Sequence, residues 1–90
     1  VNNILKMAKV EIYTWQSCPF CIRAKLLLNK KKIDFIEYEI DGDEQARSKM
    51  MARSDGRRTV PQIFINDKGI GGCDELHKLD MENKLDLLVK

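Results

Sequence analysis

Thr14–Lys31 reads TWQSCPFCIRAKLLLNKK. Two cysteines, Cys18 and Cys21, stand three residues apart, with Pro19 between them at the start of a helix-forming run. Proline suits the first turn of a helix, where its missing N–H costs nothing. Beyond it Ala24, Leu27 and Leu28 share one helical face, with Ile22 and Leu26 beside it. A helix with a broad buried side is therefore expected over 21–32. Such a helix leaves its first N–H groups unpaired and aimed at Cys18, at an end carrying roughly half a positive charge. A thiolate is favoured there over a thiol. Cys21 lies inside the first turn with its sulfur nearer the core. The asymmetry assigns roles: Cys18 attacks, and Cys21, less exposed and less ionised, resolves. Arg23 and Lys25 add positive charge nearby, as surface residues of the helix.

Working outward, KVEIYT (Lys9–Thr14) is rich in β-branched and aromatic residues and reads as a strand. DFIEYEI (Asp34–Ile40) reads as a second strand, with Ile36, Tyr38 and Ile40 alternating with Phe35, Glu37 and Glu39; Asp41–Gly42–Asp43 ends it. The segment that follows has strong helix formers and an acidic first turn, with Ala46, Met50 and Met51 as its inward side. After Val60–Pro61, QIFIN is a short strand. Asp67–Lys68–Gly69 is expected to turn the chain into a final strand at Ile70–Gly72. CDELHKLD and NKLDLLVK then supply one helix, continued or followed by a second turn. The sum is βαβ followed by αββα, with a right-handed parallel crossover in its first half. The fold class is α/β: a four-stranded mixed sheet flanked by helices, the thioredoxin-like plan at its smallest.

Bulk properties narrow the function. Ninety residues make one small domain with a modest core. A composition that is 43% hydrophobic and 33% charged fits a soluble globular chain. The net charge of +2 comes from 16 basic and 14 acidic residues, interleaved along the chain, which argues against a nucleic-acid partner. The run Lys30–Lys32 reads as a solvated helix end. No apolar stretch approaches the roughly 20 residues that span a bilayer, so no membrane association is expected. The first residues lack a signal-peptide pattern. Residues 1–6 read as an N-terminal extension and 7–90 as the domain. An odd count of three cysteines without an export signal suggests a reducing cytoplasm.

In that setting three readings of the cysteine pair compete. A structural staple is weak, because so short a loop restricts the unfolded chain little. A zinc site has a complete set of ligands on paper: Cys18, Cys21, Cys73 and His77. Pro19 and the inferred burial of Cys21 suit a redox pair better, and His77, one turn beyond Cys73, is expected to face elsewhere. The thiol–disulfide couple is the strongest reading, and it needs no metal.

CPFC after a strand, TVPQIFI (Thr59–Ile65) and GGCDEL (Gly71–Leu76), in this order and spacing, resemble the glutaredoxins. The resemblance extends from about Met7 to Lys90. It implies a glutathione-dependent thiol–disulfide oxidoreductase in which Cys18 and Cys21 are catalytic. It further implies that Val60–Pro61 is a cis peptide facing the cysteines, with the Val60 main chain free to pair with glutathione as an added strand does. Gly72, Cys73 and Asp74 would take the γ-glutamyl end, its carboxylate at a helix N-terminus. Arg57 or Arg58 would take the glycine carboxylate, and Thr59 and Phe20 would line the site.

Phe20 stands where the family often has tyrosine, and Trp15 where a lysine is common. Each departure removes one polar contact to the ligand. Trp15 stacks on ligand or partner, or simply packs. Cys73 lies outside the cycle, as an inert buried residue or a peripheral thiol. The partners implied are glutathione and disulfide-containing or glutathionylated proteins, ribonucleotide reductase among them, met by a monomer. Two alternatives stay open: an iron–sulfur carrier with a cluster shared between two copies through Cys18 and glutathione, which Pro19 disfavours, and a dedicated redox donor driven by thioredoxin reductase.

Overall fold

Strand β1 (Val10–Thr14) is buried along its whole length because both of its faces are covered. The computed structural model describes residues 8–89; the expectation for residues 1–6 lies outside them. After β1 come α1 (Pro19–Lys30), β2 (Ile36–Glu39), α2 (Glu44–Arg53), β3 (Gln62–Ile65), β4 (Lys68–Gly71), α3 (Cys73–Met81) and α4 (Leu85–Leu88). The sheet order is β2-β1-β3-β4. β1 and β2 are parallel, and the other two pairs are antiparallel. The four-stranded mixed sheet expected from the sequence is the one observed.

Period-two alternation divides the core between the faces. Val10, Ile12, Ile63 and Ile65 pack with Ala24, Leu27 and Leu28 of α1, Leu76 of α3 and Leu85 of α4. On the other face Tyr13 and Phe64 meet Ile40 and Met50, with Ala46 and Met51 at the margin. Helix α2 starts where Asp43 accepts the Ala46 N–H at 3.0 Å, an N-cap bond.

That second face also buries charge. Glu11 on β1 takes Arg53 Nη2 on Oε1 at 2.8 Å and the Tyr38 hydroxyl on Oε2 at 2.7 Å. Arg53 Nη1 donates to the Tyr13 hydroxyl at 3.0 Å, and the guanidinium lies 4.1 Å from the Phe64 ring centroid. The Arg53 hydrogen bond holds the Glu11 carboxyl below the usual range despite burial. A buried carboxylate persists only with such partners.

Three expectations need correction. The β3–β4 turn is centred on Asn66 and Asp67, both at positive φ, with Ile65 opposite Lys68. Such a two-residue turn matches the sheet twist, and Asn and Asp tolerate it, so the strand begins earlier than Ile70. Ile22 and Leu26 are exposed, because the sheet and α3 cover only the Cys21–Ala24–Leu28 side of α1. Ile36 is exposed at the edge of the sheet. Lys31, in the run read as solvated, pairs with Asp80 at 2.6 Å and Asp86 at 3.0 Å, fastening α1 to α3 and α4. Helix α4 is separate from α3, since Asn83 at φ 61 breaks the path between them.

Candidate active site

The sheet ends β1 one turn short of α1, and Cys18 fills the gap as N-cap, with extended φ −112 and ψ 110. Its Sγ accepts the Cys21 N–H at 3.1 Å. Pro19 follows inside the first turn, which contains no acidic side chain. The sulfur is therefore the side-chain acceptor at the unpaired N–H end of the helix. On its other side the Cys18 thiol meets the Val60 carbonyl oxygen at 3.9 Å. Cys18 is 8% exposed and Cys21 0%, so Cys21 is the more buried of the two. Burial, then the hydrogen bond with Cys18, pushes the Cys21 thiol up to about 12. The loop before Cys18 is held by Asp41, whose carboxylate accepts the Gln16 N–H at 3.0 and 3.1 Å.

The Val60–Pro61 peptide is cis. Beside it lies the start of α3. A Cβ on Gly72 would stand 3.1 Å from the Pro61 carbonyl oxygen, and one on Gly71, at φ +107, only 2.8 Å from the Glu75 side chain. The double glycine thus permits two close approaches at once. Glu75 turns back to accept the Gly72 N–H at 2.7 Å. That bond lowers its carboxyl below the usual range. Cys73 is buried at the first position of α3, and burial raises its thiol. His77 turns back along its own helix, with Nδ1 2.9 Å from the Cys73 carbonyl oxygen and 3.5 Å from Cys73 Sγ, as residues four apart can. Among the described residues no three His, Cys, Asp or Glu side chains are grouped to hold a metal ion.

The remaining predicted residues fall at different distances from this centre. Phe20 is 53% exposed and Trp15 42%, leaving apolar surface near the cysteine pair. The Arg23 guanidinium stands 6.0 Å from the Phe20 ring centroid. Thr59 is exposed, and its carbonyl and hydroxyl accept from the buried Gln62 amide at 3.0 and 3.3 Å. Asp74 is exposed at the start of α3. The two arginines diverge. Arg57 approaches Glu75, with Nη2 3.8 Å from Oε1. Arg58 lines a shallow pocket with Arg47, Glu44, Ser48 and Met51. Arg47 was missed from the sequence, yet its Nε is buried without a hydrogen-bond partner. The available signal was its position four residues before Met51, on the margin of the inward face of α2.

Behind Cys21 lies a second set of polar contacts. Lys25, four residues along α1, donates to Glu37 Oε2 at 2.8 Å, and the fully buried Thr14 hydroxyl donates to the same oxygen at 2.7 Å. Burial pushes Glu37 up, but these hydrogen bonds outweigh it and leave the carboxyl lowered.

A fully buried thiol one turn from an N-cap thiol, beside a cis proline, defines a thiol–disulfide exchange site on a thioredoxin-like fold. Comparison with known proteins names the group. The glutaredoxin family profile matches residues 10–70. A probable glutaredoxin of Synechocystis sp. is 71% identical over 82 residues, covering 91% of this chain and 75% of that protein. Glutaredoxin 3 of Escherichia coli K12 is 55% identical over 84 residues, covering 93% and 100%. Among solved structures, a buckwheat glutaredoxin–glutathione complex superposes with a TM-score of 0.83 at 26% identity, covering 91% of this chain and 76% of that one. The chain belongs to the glutaredoxin family, and it is a thiol–disulfide oxidoreductase.

Proposed function

We propose that the chain uses glutathione to reduce glutathione mixed disulfides and protein disulfides through Cys18 and Cys21. The observation carrying this reading is the Cys18 sulfur at the helix N-cap, with the Cys21 N–H on one side and the Val60 carbonyl on the other. The buckwheat relative in complex with glutathione supports the choice of thiol.

In the first step the Cys18 thiolate attacks the glutathionyl sulfur of a mixed disulfide. The substrate sulfur leaves with the bonding pair and takes a proton from water. A second glutathione, as thiolate, then attacks the same glutathionyl sulfur, releasing glutathione disulfide and the Cys18 thiolate. With a protein disulfide, Cys21 instead closes on Cys18 and expels the protein thiol. Two glutathiones later reopen the Cys18–Cys21 bond. Low thiol pKa values on attacking and leaving sulfurs both assist, and family potentials of about −200 to −230 mV lie within reach of glutathione in a reducing cytosol.

Glutathione carries two carboxylates. The α3 start at Gly72, Cys73 and Asp74 is the place for one, since an N-terminus offers free N–H groups. Glu75 already occupies the Gly72 N–H, which leaves those of Cys73 and Asp74 to the ligand. The other carboxylate fits Arg58 with Arg47, whose buried Nε has a hydrogen bond to give. Arg57 is turned toward Glu75 and serves the loop instead. Thr59, Val60 and Pro61 form the wall between these two sites, and Phe20 offers an apolar contact near the sulfur.

The test is reduction of a glutathione mixed disulfide and of a protein disulfide by wild type, Cys18→Ser and Cys21→Ser. Cys18→Ser loses both activities. Cys21→Ser keeps the first and loses the second. Equal loss in both variants would overturn the assigned roles, and a wild type indifferent to glutathione would overturn the choice of reductant.

A further inference from the structure

We propose that Lys25 is a positioning residue for the resolving step: its ammonium, fixed by Glu37 one helical turn from Cys21, favours the thiolate that Cys21 must become. The inference rests on the dithiol reading above and names a residue which that reading does not use.

The geometry comes first. Residues four apart on a helix are side-chain neighbours, so Lys25 stands next to Cys21 on α1. A lysine at a helix surface ordinarily wanders through many rotamers. This one is held at 2.8 Å by Glu37 Oε2, and that oxygen is itself held at 2.7 Å by the buried Thr14 hydroxyl. Thr14 is the last residue of β1. The end of β1 thus reaches the cation beside the buried sulfur through Thr14 and Glu37.

Such an arrangement answers a chemical need. In the resolving step the Cys21 sulfur bonds to Cys18 Sγ and the bond from Cys18 to the substrate sulfur breaks. The electron pair leaves with the substrate thiolate, which takes up the proton that Cys21 gives up. Burial opposes ionisation of Cys21, and so does the neighbouring Cys18. The charged groups around it are few. On α1 there are Cys18 and Lys25, and from β2 Glu37 and Glu39 act on Lys25. Lys25 is the cation in this set, and Glu37 both anchors it and tempers its charge. Exchange between Cys18 and glutathione alone involves no ionisation of Cys21, so Lys25 has no part in it.

The experiment compares wild type, Lys25→Met and Lys25→Arg in two reactions. One is reduction of a small glutathione mixed disulfide by glutathione. The other is reduction of a protein disulfide with dithiothreitol as electron source, followed from pH 6 to pH 9. Lys25→Met is expected to slow the second reaction about fivefold near neutrality, as loss of one partly screened charge at helix-neighbour distance implies. Its pH profile moves to more alkaline values, because removing a cation raises the thiol pKa. Its mixed-disulfide rate stays within about twofold of wild type, as expected for a side chain acting on Cys21 alone. Lys25→Arg keeps the charge and restores the protein-disulfide rate. Equal slowing in both reactions would show a structural role and overturn the inference. So would an unchanged protein-disulfide rate, or a Lys25→Arg variant as slow as Lys25→Met. A wild type inactive on the mixed disulfide would remove the glutathione reading, while the dithiothreitol reaction would still report on Lys25.

Discussion

Two helices in this chain begin at a cysteine, and they treat it in opposite ways. At α1 the cysteine is the N-cap itself, and its sulfur accepts the Cys21 N–H. No carboxylate competes in that first turn. At α3 the cysteine stands one place later, behind Gly72, and Glu75 has already taken the cap N–H. Asp74 adds another negative charge beside it. The same dipole therefore acts on a sulfur at one helix and on a carboxylate at the other. One residue of register and a competing acid separate the thiol that caps its helix from the one that stands behind the cap.

The sharpest way to break this contrast is to alkylate the reduced protein and count adducts with time. Cys18 is expected to react faster than Cys73 by on the order of tenfold or more, since a helix N-cap favours a thiolate while burial raises the Cys73 thiol. Comparable rates would end the distinction between the two helix starts. A smaller effect is expected from Gly71→Ala. Its positive φ strains an L side chain, and a methyl group there would push away the Glu75 side chain, which comes within 2.8 Å. Thermal unfolding should show a loss of about 1–3 kcal/mol. Glutathione affinity should weaken with it, since the Gly72 loop rests on Glu75.

The smallest effect belongs to Glu75→Gln, which keeps an acceptor and removes the charge. It should cost about 0.3–1 kcal/mol at neutral pH. The folded-state pKa of Glu75 is depressed, so its contribution is complete above the ordinary carboxyl range and fades as pH falls through the folded value. Unfolding measured between pH 7 and pH 3 should show the two proteins converge in acid. A gap that widened there would contradict the cap.

Much of this site was legible because its chemistry is local. CPFC announces a cysteine N-cap followed by proline, and both are properties of one helical turn. The double glycine before CDEL likewise marks a place where the backbone must pass close to something. What escaped reading were the pairings that join distant segments. Glu11 looks like any strand carboxylate until Arg53, 42 residues on, lies across it. Arg47, Asp41 and the Lys25–Glu37 pair are of the same kind: each becomes meaningful only when the sheet order sets α2 or β2 beside it. The Asn66–Asp67 turn failed for another reason. Asp67–Lys68–Gly69 offers a glycine, whereas the fold uses two residues whose short polar side chains tolerate the left-handed region.

Helix α2 fully buries only Met50, and it carries the arginines at positions 47 and 53. Its grip on the sheet therefore depends heavily on the clasp between Arg53 and Glu11. Oily contacts lose strength on cooling, whereas a clasp of this kind opens when its carboxylate takes up a proton. Acidity, more than chill, governs how firmly this wall of the molecule is fastened.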